Sequence, residues 1–276
     1  MKKVILMRAW DRSVLRAASL IAVIALGLAA CGQATTPRPA GGTTAPSSRP
    51  APTSPHATAS SAATQLAAFF AAAEQADGRL HRAAALVNGD IGTSSMRFTP
   101  ATLTAIRALG NAPVARTIPA GLPTGLLRGV LVVYGDLASR SAAFDGVMVY
   151  GSSGRELPIG GPDAQQVLRG LHNGAPAAAR FTSDLATART LAQQTPLVII
   201  AAPDSRAAAE LALRLNFIDL QNGCSYTFGG WAPTELETVI WQSGTGPGHY
   251  EGTIGGVRFQ ASYTAQHGWQ IIIHAC

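Results

Sequence analysis

Lysine is missing from the chain after Lys3. That absence removes four chemistries from everything downstream: the phosphate-loop lysine, the Schiff-base lysine, the kinase ion-pair lysine and the Ser-x-x-Lys acylation pair. Charge is sparse as well, at 13% of 276 residues, and the formal charge of +6 is unevenly spread. Residues 1–30 hold five basic side chains against Asp11, and residues 31–62 hold only Arg38 and Arg49. Residues 63–276 balance 14 arginines with 14 acids. The basic excess therefore belongs to the N-terminus. A nucleic-acid partner, which needs a basic face on the folded part, is excluded.

Long apolar runs are missing too. The longest is residues 17–30, AASLIAVIALGLAA. Fourteen residues are too few to cross a hydrocarbon core, which takes about 20. They match the apolar region of a secretory signal behind a basic leader. The run ends in Leu28-Ala29-Ala30-Cys31-Gly32. This resembles the lipobox of bacterial lipoproteins. The resemblance covers about the first 32 residues and marks a processing class, not a domain family. It implies cleavage before Cys31, a diacylglyceryl group such as one bearing palmitate on its sulfur, and acylation of the new amino group. Two or three chains give stable attachment, since each buried CH₂ contributes about 0.8 kcal/mol. The expected location is the extracytoplasmic side of a bacterial membrane, in the cell envelope.

Residues 32–62 are almost entirely Pro, Thr, Ser, Ala and Gly. Without apolar periodicity they read as a disordered tether, about 30 Å end to end as a flexible coil. His56 falls in it. Residues 63–276 read as a single domain with no internal repeat.

Helical periodicity fills its first part. Leu66, Phe69, Phe70, Ala73, Leu80, Ala84 and Val87 predict a helix over 64–87, stopped by Asn88-Gly89. Thr99-Pro100 opens a second helix as N-cap and first residue, and Gly110 closes it. A third spans about 122–143 through Leu126, Val130, Val133, Leu137 and Phe144. Its Gly125 and Gly129 either admit a neighbouring helix or weaken this one. A fourth runs from Pro162-Asp163 to Asn173-Gly174, a fifth over about 176–195, and a sixth from Asp204 or Ser205 to Asn222-Gly223. Residues 197–202 (Leu-Val-Ile-Ile-Ala-Ala) suit either a buried strand or a seam between helices.

The end of the chain changes period. Val257, Phe259, Ala261 and Tyr263 alternate with Arg258, Gln260, Ser262 and Thr264. Gly255-Gly256 ahead of them suits a two-residue hairpin turn. With Glu237–Ser243, His249–Ile254 and Trp269–Cys276 this predicts a four-stranded meander. The fold class is α+β: five or six helices followed by a small C-terminal antiparallel sheet.

Three cysteines occur. With Cys31 lipidated, Cys224 and Cys276 remain as an even pair in an oxidising compartment, where a disulfide is expected. Closing that loop of 52 residue steps contributes about 4 kcal/mol in the chain-entropy account.

Catalytic patterns are scarce. Gly-x-Ser-x-Gly, His-Glu-x-x-His, the Asp-x-Asp-x-Asp calcium loop and Cys-x-x-Cys are all missing. Gly244-Thr245-Gly246-Pro247-Gly248 has a misplaced third glycine and no following helix, so it reads as a hairpin loop rather than a dinucleotide loop. His249, Glu251, His267 and His274 contain a zinc-type donor set. His267 falls at a turn, however, and His274 one position from the apolar face, so no metal site is expected. His81 and His172 fall near helix surfaces and ends, and His172 before Asn173-Gly174 suits a helix dipole. A carboxylate pair for glycoside cleavage needs no local signature, and the 14 acids leave it open.

Aromatics make up 6% of the chain, yet nine of the 17 lie in its last 60 residues. Sheet packing is the simpler account. A ligand platform on the sheet's outer face is the functional one, with Trp231 and Trp241 as its candidates. No catalytic, cofactor-binding or metal-ligating residue is assigned. The expectation is a lipid-anchored, non-catalytic binding or accessory module, with an envelope protein or cell-wall partner and no cofactor. The alternatives are an envelope hydrolase acting on cell-wall polymer, and a carrier with an apolar pocket.

Overall fold

The computed structural model describes residues 55–92, 97–109, 114–144, 162–197, 201–223, 236–242 and 248–274. Among these, five α-helices precede four β-strands, so the chain is α+β with the two segregated. The chain divides between Thr53 and Ser54, and every described element lies in the second unit.

Helix α1 (Pro55–Ile91) starts inside the segment read as tether. Pro55 sits at its first position, where a missing N–H costs nothing, and an Ala-rich stretch extends the helix cheaply once its core-facing part has formed. Asn88-Gly89 does not stop it. The helix continues so that Asp90, which is buried, can accept the Thr99 N–H at 2.7 Å and the Thr102 hydroxyl at 2.6 Å. That carboxylate fastens the end of α1 to the start of α2 (Pro100–Leu109), where Thr99 also caps the Thr102 N–H.

Helix α3 (Thr124–Ser141) and helix α4 (Pro162–Gln194) form the tightest pairing. The sequence predicts one helix ending at Asn173-Gly174 and another beginning at about residue 176; the two are one helix, α4, which also carries Pro176 inside it. Packing explains this, because the helices run antiparallel with glycine at two of their contacts and at a third with the 3₁₀ turn that follows α3 (Ala142–Phe144). A Cβ at Gly129 would lie 3.1 Å from Leu191 Cδ1, one at Gly174 3.3 Å from Arg140 Cα, and one at Gly170 2.5 Å from Ala143 Cα. Gly174 is thus a contact rather than a stop. Gly125 faces open space. Gly170→Ala forces main chain apart and is expected to destabilise by about 1–3 kcal/mol. Gly125→Ala has room and better helix propensity, so its denaturant midpoint holds or rises. Urea unfolding of the two variants checks the contrast.

Helix α5 (Arg206–Gly223) starts on Ser205, whose Oγ accepts the Ala208 N–H at 3.2 Å. It is apolar on two sides. Leu211 and Ile218 join the main core, which includes Phe69, Ile106, Leu126, Leu131 and Phe144. Leu213 and Phe217 join a second core with Ile254, Phe259 and Ala261. Arg214 ties the helix to the sheet's entrance, donating to Glu210 and to the Glu237 carbonyl.

The sheet is the predicted meander, β1 (Val239–Trp241), β2 (His249–Ile254), β3 (Val257–Thr264) and β4 (Gly268–Ile273), antiparallel in that order. Gly255 and Gly256, with φ of 54° and 79°, make the two-residue turn that L side chains rarely adopt. Leu197, Ala201 and Ala202 carry no strand; residues 198–200 lie outside the described residues.

Candidate functional site

The period of two gives the sheet one covered and one open face. Trp241, Tyr250, Phe259, Ala261 and Ile271 turn toward α5. The outer face carries Ile240, His249, Glu251, Arg258, Gln260, Ser262, Gln270 and Ile272. Register places His249 opposite Ser262 and Glu251 opposite Gln260. Ser262 Oγ lies 3.1 Å from His249 Nδ1, and Glu251 Oε1 lies 3.4 Å from His249 Nε2. Gln260 Nε2 donates to the same carboxylate oxygen at 3.3 Å.

A hydroxyl, an imidazole and a carboxylate thus connect through both ring nitrogens, in the order of an acyl-transfer triad. The surroundings argue for a different role. Most of the rate of such triads depends on donors aimed at the developing oxyanion in a dry site. Ser262 lies on a strand paired on both sides, so its main-chain N–H is committed to the ladder. His249 is 55% exposed, and water competes for every partner. The group is a cross-strand polar network, which stabilises the pairing by tenths of a kcal/mol, up to about 1.

Of the four residues in the zinc-type set, only His249 and Glu251 come together. His267 sits in the turn before β4, its N–H bonded to Thr264 Oγ1. The His274 N–H bonds to the Arg258 carbonyl at the other end of the strand. Among the described residues no three His, Cys, Asp or Glu side chains are placed to hold a metal ion. His172 is mid-helix, because α4 does not end beside it, so the dipole role expected for it does not apply.

Trp241 is half-buried on the inner face, not on an outer platform. It meets Tyr250 and Phe259 edge-on at 5.4 and 5.3 Å, and the Arg206 guanidinium sits 4.8 Å over its ring. A stacking ligand would have to displace that cation. Trp269 is also engaged, with its Nε1 donating to the Pro203 carbonyl at 2.7 Å. Trp231, Cys31, Cys224 and Cys276 lie outside the described residues.

A cavity of about 200 Å³ lies between Ala62, Pro119, Leu122, Pro123, Pro196 and Leu197. It is smaller than the roughly 300–1,000 Å³ of ligand sites.

The charged chemistry that sequence reading missed lies between α3 and α4. Asp136 has no exposed side-chain surface, and Arg180 Nη2 is 2.5 Å from its Oδ1. Asp184 Oδ2 lies 3.6 Å from Arg180 Nε, so two carboxyls flank one guanidinium. Burial first, and then Asp184 beside it, push the Asp136 carboxyl up to about 7 against the pull of Arg180. One turn along, Arg140 donates to Asp77 and lies 3.1 Å from His81 Nδ1, both on α1. Tyr134 donates to Asp219 of α5 at 2.8 Å. The sequence held one clue: Asp136 lies beside Leu137 and three residues after Val133, within an apolar stripe.

No family model matches the chain, and comparison with curated proteins and with solved structures finds no match.

Proposed function

We propose that this is a lipid-anchored protein of the bacterial cell envelope whose domain serves as a binding or accessory module. The observation that carries the anchor is Leu28-Ala29-Ala30-Cys31 behind a 14-residue apolar run and a basic leader. Among the described residues no helix is long and apolar enough to cross a membrane. On this reading the Pro- and Thr-rich residues that follow Cys31 hold the domain off the bilayer, and Cys224 and Cys276 form a disulfide.

What supports a binding module is the open face of the sheet. Ile240 is 62% exposed and Ile272 37%, with Arg258, Gln260 and Glu251 on the same face. Two exposed large apolar side chains among hydrogen-bonding groups suit contact with an envelope protein or wall polymer.

Mass spectrometry of the protein from its own envelope tests the anchor. The wild-type chain is expected to begin at Cys31 and to carry lipid mass, whereas Cys31→Ala keeps its leader and gains none. A soluble wild-type chain with an intact leader overturns the reading. Thiol alkylation of the exported chain is expected to find Cys224 and Cys276 unreactive until reduction.

A further inference from the structure

Two acids facing one cation across a tight helix pair leave one negative charge too many when all three groups are ionised. Among the described residues no main-chain N–H or hydroxyl donates to Asp136 to spread that charge. The other charged and titratable groups nearby are turned elsewhere. Arg140, on the same helix, faces Asp77 and His81 of α1, and Tyr134 faces Asp219 of α5. Among the described residues of the α3–α4 contact, Arg180 pairs with Asp136, and Asp184 adds to the negative charge beside it.

We propose that the α3–α4 interface is a pH-sensitive latch, closed while the buried Asp136 carboxyl holds a proton and loosened when that proton leaves. With the proton in place Asp136 is neutral, and Arg180 neutralises the charge of Asp184. Once it is lost, two carboxylates repel across the contact. Asp136 cannot turn to solvent, since its side chain is fully buried. Small side-chain shifts have little room either, because a Cβ at Gly129 or Gly174 would crowd the facing helix, and one at Gly170 the turn after α3, on both sides of the acids. Asp184, a quarter exposed, can turn its carboxylate toward water, but Asp136 gains hydration only if the helices separate. The burial of Asp136, which raises its carboxyl to about 7, puts the release near neutral pH.

Amide hydrogen exchange on the full chain tests this at pH 5.5 and 8.5, with protection corrected for intrinsic chemistry. Protection in 130–141 and 177–188 is expected to fall at least about tenfold relative to β2 and β3 on going to pH 8.5, the equivalent of one pKa unit. Asp136→Asn should abolish the fall. Asp184→Asn removes the neighbour that raises Asp136 and should move the transition to lower pH; as Asp184 is a quarter exposed, that variant keeps the fold. The proposal is overturned if Asp136→Asn responds as the wild type does, if the Asp184→Asn transition stays in place, or if the sheet loses protection in step with the helices.

Discussion

Phe259→Ala is expected to lower the free energy of unfolding by about 3–5 kcal/mol, the range for removing a fully buried aromatic ring. Phe259 is 1% exposed and stands at the centre of the second core, beside Leu213 and Phe217 of α5. It also holds Trp241 edge-on at 5.3 Å, and on the neighbouring strands it is paired with Gly252 and Ile273. The cavity left cannot collapse easily. Gly252 offers no side chain to fill it, and a Cβ there would lie 2.0 Å from the Ile240 carbonyl oxygen, so β1 and β2 already touch at closest approach. Urea unfolding followed by tryptophan emission measures the loss and reports Trp241 as its packing loosens. A loss below about 1 kcal/mol would show that α5 does not cover this face.

Arg180→Ala should act differently at different pH. The native chain keeps a proton on Asp136 up to about 7, whereas the unfolded chain releases it near 3.8. This raised value makes the native state the better proton binder. Its contribution is complete in acid and is lost as pH rises to about 7, beyond which it levels off. Without Arg180 the buried carboxyl holds its proton more tightly still. At pH 5.5 the variant is expected to lose little, since a neutral Asp136 needs no cation. At pH 8.5 Asp136 must either ionise unpaired or keep its proton against the solvent, and the loss should reach about 3 kcal/mol. That is the lower end for breaking a buried pair, because the guanidinium is one-third exposed and partly screened. Asp136→Asn predicts the opposite dependence, matching wild type at pH 5.5 and exceeding it at pH 8.5. Equal losses at the two pH values would sink the assignment of the charge to Asp136.

What the sequence determined alone is local. The β2 and β3 boundaries, the Gly255-Gly256 turn, the Thr99 cap and the start of α5 at Asp204 or Ser205 were all legible. Strand alternation and capping are set by neighbours within a few residues. The order of helices then sheet followed from the change of period. Where the sequence misled, a distant contact overruled a local preference. Asn88-Gly89 and Asn173-Gly174 are good stop signals, yet Asp90 anchors α1 beyond the first, and close packing on Arg140 and Ala143 carries α4 through the second and past Pro176. The second apolar side of α5 became visible only once the sheet lay against it. The inner placement of Trp241 under Arg206, and the meeting of Asp136 with Arg180 and Asp184, join residues more than 30 positions apart. No spacing rule connects such positions. Their partners are chosen by which helix faces are brought together, and that is decided by the burial of the whole chain at once.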